Sequence, residues 1–323
     1  MKAIVCRRFG SPDVLELQDV DVPDVNTDEV LVRVHAAAVE PGMWHFMRGE
    51  PYLVRLQGQG FFKPKSPIPG REIAGRVERV GKDVTEFLDG DEVFGEIESG
   101  AFAEYVAVPE QSLAPKPKNL SFEQAAAVPI SGNAALQFLR DAGRLQHGQH
   151  VLINGASGGV GTFAVQIAKA LGAKVTGVCS TSNVELVRAL GADYVFDYTV
   201  EDFTQSEHRY DLLIDPVGNR RLSECRRVLT PGGTYVAVGG GGGRWLGPLA
   251  HMLRAVAYSP FVSQRFVAIV AQPNKEDLLY LTELIEAGSV TPVLDRSYPL
   301  SEGAEAVRYH EGGHARGKVV ITM

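Results

Sequence analysis

The segment that most constrains this chain is a glycine-dense turn set between a strand pattern and a helical one. Val151-Leu152-Ile153-Asn154 runs into Gly155-Ala156-Ser157-Gly158-Gly159-Val160-Gly161, and a helical pattern follows from Thr162 to Leu171. A second apolar stretch, Lys174 to Val178, arrives on schedule for a βαβ unit of about 30 residues. Glycines here permit the tight turn and let backbone amides approach a pyrophosphate, while the helix N-terminus adds partial positive charge. Ala156, Ser157, Gly158, Gly159, Val160 and Gly161 are therefore read as a dinucleotide cradle. A turn needing glycine only for packing would not gather so many at one strand end.

The end of the second strand meets the adenosine ribose. A carboxylate there accepts from the 2′-hydroxyl of NAD. This chain places Cys179 at that point, followed by Ser180-Thr181-Ser182-Asn183. Hydroxyl and amide donors suit a 2′-phosphate, so NADPH is the expected cofactor, with Ser180 and Asn183 among its contacts. Ser182 with Glu185 also reads as a capping box for the next helix, which needs no ligand.

The rest of the chain falls into two styles. Residues 1–119 read as short alternating strands separated by turn signals such as Pro67-Ile68-Pro69-Gly70 and Leu88-Asp89-Gly90-Asp91, the pattern of a partly open barrel. Ser121 with Gln124 then reads as a capping box opening a helix. Beyond it strands are expected near 150–154, 174–178, 194–197, 211–214, 234–238 and 266–270. Helices are expected near 159–171, 183–190 and 219–228. That alternation predicts an α/β fold with a doubly wound parallel sheet. An amphipathic helix near 275–287 and an extended segment ending at Lys318–Thr322 complete the chain.

Composition excludes several classes. The 323 residues carry 32 Lys and Arg against 39 Asp and Glu, a net charge of −7, which opposes general binding of nucleic acid. No apolar run approaches the roughly 18–20 residues that cross a bilayer, and the first residues lack the apolar core of a secretion signal. The expected compartment is the cytoplasm, with no membrane partner. Cys6, Cys179 and Cys225 are far apart, with no CxxC pair to seed a metal site.

Several further segments carry a likeness to a family: Pro69-Gly70-Arg71-Glu72-Ile73-Ala74-Gly75, Gly90-Asp91-Glu92-Val93, Ala156–Gly161, Gly191-Ala192-Asp193, Asp215-Pro216-Val217-Gly218 and Gly317-Lys318-Val319-Val320. Together they resemble the medium-chain dehydrogenase/reductase superfamily, in its zinc-free quinone-oxidoreductase branch. The resemblance implies a Rossmann doubly wound parallel sheet, residues 120–270, inserted into a GroES-like β-rich catalytic domain, residues 1–119 plus 271–323. It implies NADPH-dependent reduction of quinones or activated enones, and a homodimer joined through the short apolar run Phe266–Val270. Cofactor contacts are expected also at Tyr198, Val217, Gly239 and Gly240. Zinc members of the superfamily take a Cys near position 41 and a His after the glycine at 70. Here those places hold Glu40-Pro41-Gly42 and Arg71, and Arg cannot ligate a cation, so no metal is expected.

Glu40 to Arg48 aligns with the cleft segment of the resembling proteins. His45 could hydrogen-bond the acceptor's carbonyl oxygen as charge develops there, or it is a satisfied structural histidine. Glu40 stands where Asn is usual and could serve as an acid. Trp44 and Tyr52 could wall a flat substrate, although core packing explains Trp44 equally well. The expected ligand is thus a small quinone or carbonyl compound. Two alternatives stay open: an NADPH-binding protein with little catalysis, in a sensor or structural role, and an enoyl-thioester reductase.

Overall fold

A computed structural model describes residues 1–52, 55, 62–239, 248–313 and 315–323. In chain order the strands are β1 (Lys2–Cys6), β2 (Leu15–Asp19), β3 (Glu29–Val39), β4 (Glu72–Val80), β5 (Glu92–Glu96), β6 (Tyr105–Pro109), β7 (Leu113–Pro115), β8 (His150–Asn154), β9 (Lys174–Cys179), β10 (Tyr194–Asp197), β11 (Tyr210–Asp215), β12 (Leu229–Ala237), β13 (Arg265–Ala268), β14 (Leu294–Pro299) and β15 (Lys318–Thr322). The helices are α1 (Pro41–Arg48), α2 (Phe122–Ala126), α3 (Pro129–Gln137), α4 (Gly159–Ala170), α5 (Val184–Ala189), α6 (Leu222–Arg227), α7 (Pro248–Tyr258), α8 (Lys275–Glu286) and α9 (Gly303–Glu311). No helix among the described residues is long and apolar enough to cross a membrane.

The chain forms two compact units. The first comprises Met1–Ile130, Pro273–Glu286 and Pro292–Met323. Its main sheet has the order β14-β15-β3-β4-β5-β7, with β6 also pairing β3, and β1 and β2 form a separate antiparallel pair. Val30, Val32 and Val34 alternate into the core of this unit, where they meet Ile73, Val93, Phe102 and Ile321. The register brings four strand ends together: Ala38 opposes Glu72 across β3 and β4, Glu72 opposes Glu96 across β4 and β5, and Val39 opposes Val319 across β3 and β15. Glu40, Glu72, Glu96 and Lys318 therefore share one end of the sheet.

The second unit comprises Ser131–Gln272 and Ala287–Thr291. Its six-stranded sheet has the order β10-β9-β8-β11-β12-β13, with every pairing parallel. The order reverses beside β8, so ligands of such a sheet bind past the carboxyl ends of the strands there. Strand β8 is buried from Val151 to Asn154 because both faces are covered, as a central parallel strand demands. The expected capping box at Ser121 and Gln124 is formed, with both hydrogen bonds present. The one expected at Ser182 and Glu185 is not: α5 begins at Val184 behind Asn183, without a side-chain cap. Ser182 Oγ lies instead 3.3 Å from Ser180 Oγ. The expected strand at 266–270 is shorter, ending at Ala268 and leaving Val270 exposed.

Candidate functional site

In the second unit the turn after β8 is shaped for close backbone approach. Gly155 has φ +86°, a left-handed conformation that L side chains rarely adopt. A Cβ on Gly161 would stand 2.1 Å from Gly155 O, so the turn closes only with glycine there. Helix α4 starts at Gly159 with Gly158 at its N-cap and no side-chain cap, which leaves the opening amides to a ligand. Ala156 is buried, its amide donating to Val178 O at 2.9 Å.

Of the residues expected around the cofactor, Ser157, Ser180, Asn183 and Val217 meet at or beside this turn. Asn183 Nδ2 donates to Ser157 Oγ at 3.1 Å and to Ser180 Oγ at 3.2 Å, tying the turn to the end of β9. Asn183 Oδ1 is buried with no partner among the described residues. Tyr198 donates its amide to Cys179 O at 3.0 Å and leaves its side chain exposed. Val217 packs against the turn, since a Cβ on Gly155 would meet its Cγ2 at 2.7 Å. Gly239 lies against Pro216, where a Cβ would stand 2.2 Å from Pro216 O. Gly240 lies outside the described residues. These features fit a dinucleotide.

One network was not read from the sequence. Asp215 Oδ1 accepts from Val217 N at 3.2 Å, Gly218 N at 2.7 Å and Asn154 Nδ2 at 2.8 Å. Its Oδ2 accepts from Tyr235 Oη at 2.6 Å, and His251 Nε2 lies 2.8 Å from the same hydroxyl. Tyr235 has one hydrogen, which goes to the carboxylate, so the His251 nitrogen donates. The motif Asp215–Gly218 was the available signal; its partners on β12 and α7 were not.

In the first unit a buried charge cluster occupies the shared sheet end. Lys318 Nζ donates to Glu72 Oε2 at 2.5 Å, and Ile130 N donates to Glu72 Oε1 at 2.9 Å. Arg71 donates to Glu96 Oε1 at 2.5 Å. Burial pushes the Glu96 carboxyl up to about 7, against the pull of Arg71. Glu40 is 4% exposed, and its Oε2 accepts from Gly42 N at the start of α1. Its Oε1 is buried without a partner among the described residues. Burial raises the Glu40 carboxyl, with Arg71 opposing, so the neutral acid is favoured. Arg71 also lines a cavity with Met43, Phe46, Met47, Lys65 and Pro69.

His45 is engaged differently from the expected carbonyl donor. Its Nδ1 lies 2.8 Å from Glu50 O, and a carbonyl only accepts, so the N–H sits on Nδ1. Burial lowers the pKa of His45, favouring the neutral ring. Nε2 then offers a lone pair and no hydrogen. The Trp44 ring lies tilted against His45 with ring centroids 3.8 Å apart and packs against the core. The Tyr52 ring lies under the Arg55 guanidinium, 5.1 Å from its centroid. Both rings thus have structural partners.

Arg71 has no lone pair for a cation, and both Glu72 oxygens already accept hydrogen bonds. No group of three His, Cys, Asp or Glu among the described residues could hold a metal ion.

Two family descriptions match the chain: "Alcohol dehydrogenase GroES-like domain" over residues 26–118 and "Zinc-binding dehydrogenase" over residues 190–321. The chain is 38% identical to 2-methylene-furan-3-one reductase of Solanum lycopersicum, an alignment covering 99% of this chain and 79% of that one. It is 35% identical, over the same shares, to the chloroplastic NADPH-dependent alkenal/one oxidoreductase of Arabidopsis thaliana. Among solved structures it resembles the quinone oxidoreductase from Coxiella burnetii with a TM-score of 0.88 and 32% identity, covering 100% of this chain and 99% of that one.

Proposed function

The chain belongs to the medium-chain dehydrogenase/reductase superfamily and is an oxidoreductase, and from that premise we propose that it is a zinc-independent, NADPH-dependent reductase of quinones or α,β-unsaturated carbonyls. The observation that carries this reading is Arg71. In zinc members of the superfamily the metal polarises the substrate oxygen, whereas a conjugated acceptor spreads its charge and can be served by a hydrogen-bond donor at its oxygen. Arg71 puts a cationic donor on a cavity that Met43, Phe46 and Met47 line together with Lys65 and Glu98, at the place where zinc members of the superfamily carry a ligand.

Bound NADPH supplies the hydride. The chain's residues do the rest. The turn at 155–161 and the opening amides of α4 take the pyrophosphate. Asn183 spends both its hydrogens on Ser157 and Ser180, which leaves the Ser157 hydroxyl hydrogen, and one shared between Ser180 and Ser182, for a 2′-phosphate. Asp215 fixes the Val217–Gly218 backbone beside the turn. Arg71 receives the developing oxyanion, and Glu40, whose carboxyl burial raises against the pull of Arg71, is an acid at the same sheet end. His45 holds the segment after α1 through Glu50 O rather than polarising the acceptor.

A second reading, an enoyl-thioester reductase, draws support from Lys65 beside Arg71 on the cavity, where a phosphorylated carrier arm would find cations. One assay tests both. Chelator-treated protein is mixed with NADPH and a panel of quinones, enones and enoyl thioesters, and absorbance at the nicotinamide band is followed. Turnover of quinones or enones is expected. Tight NADPH binding without turnover of any acceptor, or activity that returns only with zinc, would overturn the proposal.

A further inference from the structure

A carboxylate stands beside the ribose corner one strand away from where sequence reasoning looks for it. Cys179, at the end of β9, is 1% exposed, and burial pushes its thiol up to about 11. It faces the core and reads no ribose. Its register partner on β10 is Asp197. The ends of these two strands open side by side onto Ser180–Asn183 and Tyr198, the residues expected around the 2′ position.

Asp197 dictates which way the neighbouring hydroxyls point. Thr199 donates to Asp197 Oδ1 twice, from its amide at 2.9 Å and its hydroxyl at 2.7 Å. Thr181 Oγ1 lies 2.9 Å from Thr199 Oγ1. The single Thr199 hydroxyl hydrogen is committed to the carboxylate, and the single Thr181 hydroxyl hydrogen goes either to Thr199 Oγ1 or to Asp197 itself. Hydrogen bonds from Thr181 and Thr199 hold the Asp197 carboxyl below its usual range, and it is ionised at neutral pH. This side of the corner therefore presents lone pairs and a negative charge. On the opposite side Ser157 keeps a hydroxyl hydrogen to give, and Ser180 and Ser182, 3.3 Å apart, keep one between them. A 2′-phosphate matches only the serine side, whereas a 2′-hydroxyl, which is itself a donor, matches the Asp197 side.

We infer that Asp197, ordering Thr181 and Thr199 beside the 2′ position, is a specificity-determining residue that limits the preference for NADPH and admits NADH. The inference rests on the cofactor reading above. Replacing Cys179 by Asp would bury a carboxylate in the core; Asp197 is the position where the charge can be changed at the surface.

The test is direct binding, read by nicotinamide fluorescence with NADPH and NADH and by displacement with adenosine 2′,5′-bisphosphate. Asp197→Asn keeps the acceptor oxygen for Thr199 and removes the charge; Asp197→Ser is the second variant, and thermal melts check that both fold. One charge a few ångströms from a phosphate in water corresponds to roughly a three- to tenfold change in Kd, shrinking as salt rises. NADPH and the bisphosphate should tighten by that factor in both variants, while NADH holds steady or weakens. An unchanged NADPH-to-NADH ratio, or equal shifts for both cofactors, would overturn the inference alone. If the unmutated protein binds neither cofactor, the reading of the second unit falls and the inference falls with it.

Discussion

Glu96→Gln is expected to flatten a pH dependence of stability that the native chain carries near neutrality. Glu96 ends β5 in a buried cluster, and burial raises its carboxyl from 4.5 to about 7 in the folded protein. In the unfolded chain it titrates near its ordinary value. Between those two values folding takes up a proton, and each pH unit then lowers stability by about 1.4 kcal/mol. The contribution of neutral Glu96 is fully present below its unfolded value, declines as pH rises, and is gone above its folded value. From about pH 5.5 to 7 the loss is on the order of 2 kcal/mol. Urea unfolding at constant ionic strength, stepped between about pH 5.5 and 8.5, measures it. His45 and His310, both held neutral by burial, contribute with the opposite sign as pH falls. Subtracting the variant's curve from the native one removes them. The difference should fall by about 2 kcal/mol across that window. Parallel curves for the two proteins would refute the claim that Glu96 holds a proton in the folded state.

Three further outcomes are expected. Arg71→Met should lower kcat and kcat/KM together by roughly 10²–10³-fold while NADPH affinity stays put, as for loss of one donor to a developing oxyanion; steady-state kinetics on an enone checks it, and a change in KM alone would contradict it. His45→Phe should leave kcat within about twofold and cost about 1–2 kcal/mol of stability, because Glu50 O loses its donor; a tenfold drop in kcat at unchanged stability would restore the catalytic reading of His45. The protein should be a homodimer, since β13 ends the six-stranded sheet and leaves an edge whose pairing with a two-fold mate removes an exposed ladder; a monomeric mass by light scattering at micromolar concentration would contradict it.

What could be read in advance was local in sequence. The turn at 155–161, the strand before it and the helix after it are contiguous, so glycine spacing and periodicity were enough to locate them. The parallel strands of the second unit followed from alternation, with bounds off by a residue or two in most cases. The start of β12 was the larger error, because Pro231-Gly232-Gly233 inside Leu229–Ala237 reads as a turn. Asp197 escaped notice because the ribose rule counts along one strand, while the charge arrives on the next strand over. His45 was ambiguous until Glu50 O was placed against it, since a sequence does not say which ring nitrogen is occupied.

The acid cluster was illegible for the same reason, and its composition has a consequence. Glu40, Glu72 and Glu96 come from three separate stretches of chain, and only strand register collects them with Arg71 and Lys318. Three buried carboxylates against two cations leave excess negative charge unless one acid keeps its proton. Both Glu72 oxygens already accept hydrogen bonds, from Lys318 and Ile130 N. Burial raises the carboxyls of both Glu40 and Glu96. Glu40 is the more deeply buried, and its Oε1 meets no donor that would stabilise a charge there. Glu96, with Arg71 against it, is left to titrate near neutrality. As Glu96 gains a proton, its hold on the Arg71 guanidinium weakens, and more of that cation is available to an oxyanion in the cavity. Stability and the donor strength of Arg71 are thus tied to the same carboxyl, which is why Glu96→Gln should also weaken any pH dependence of kcat that centres near 7.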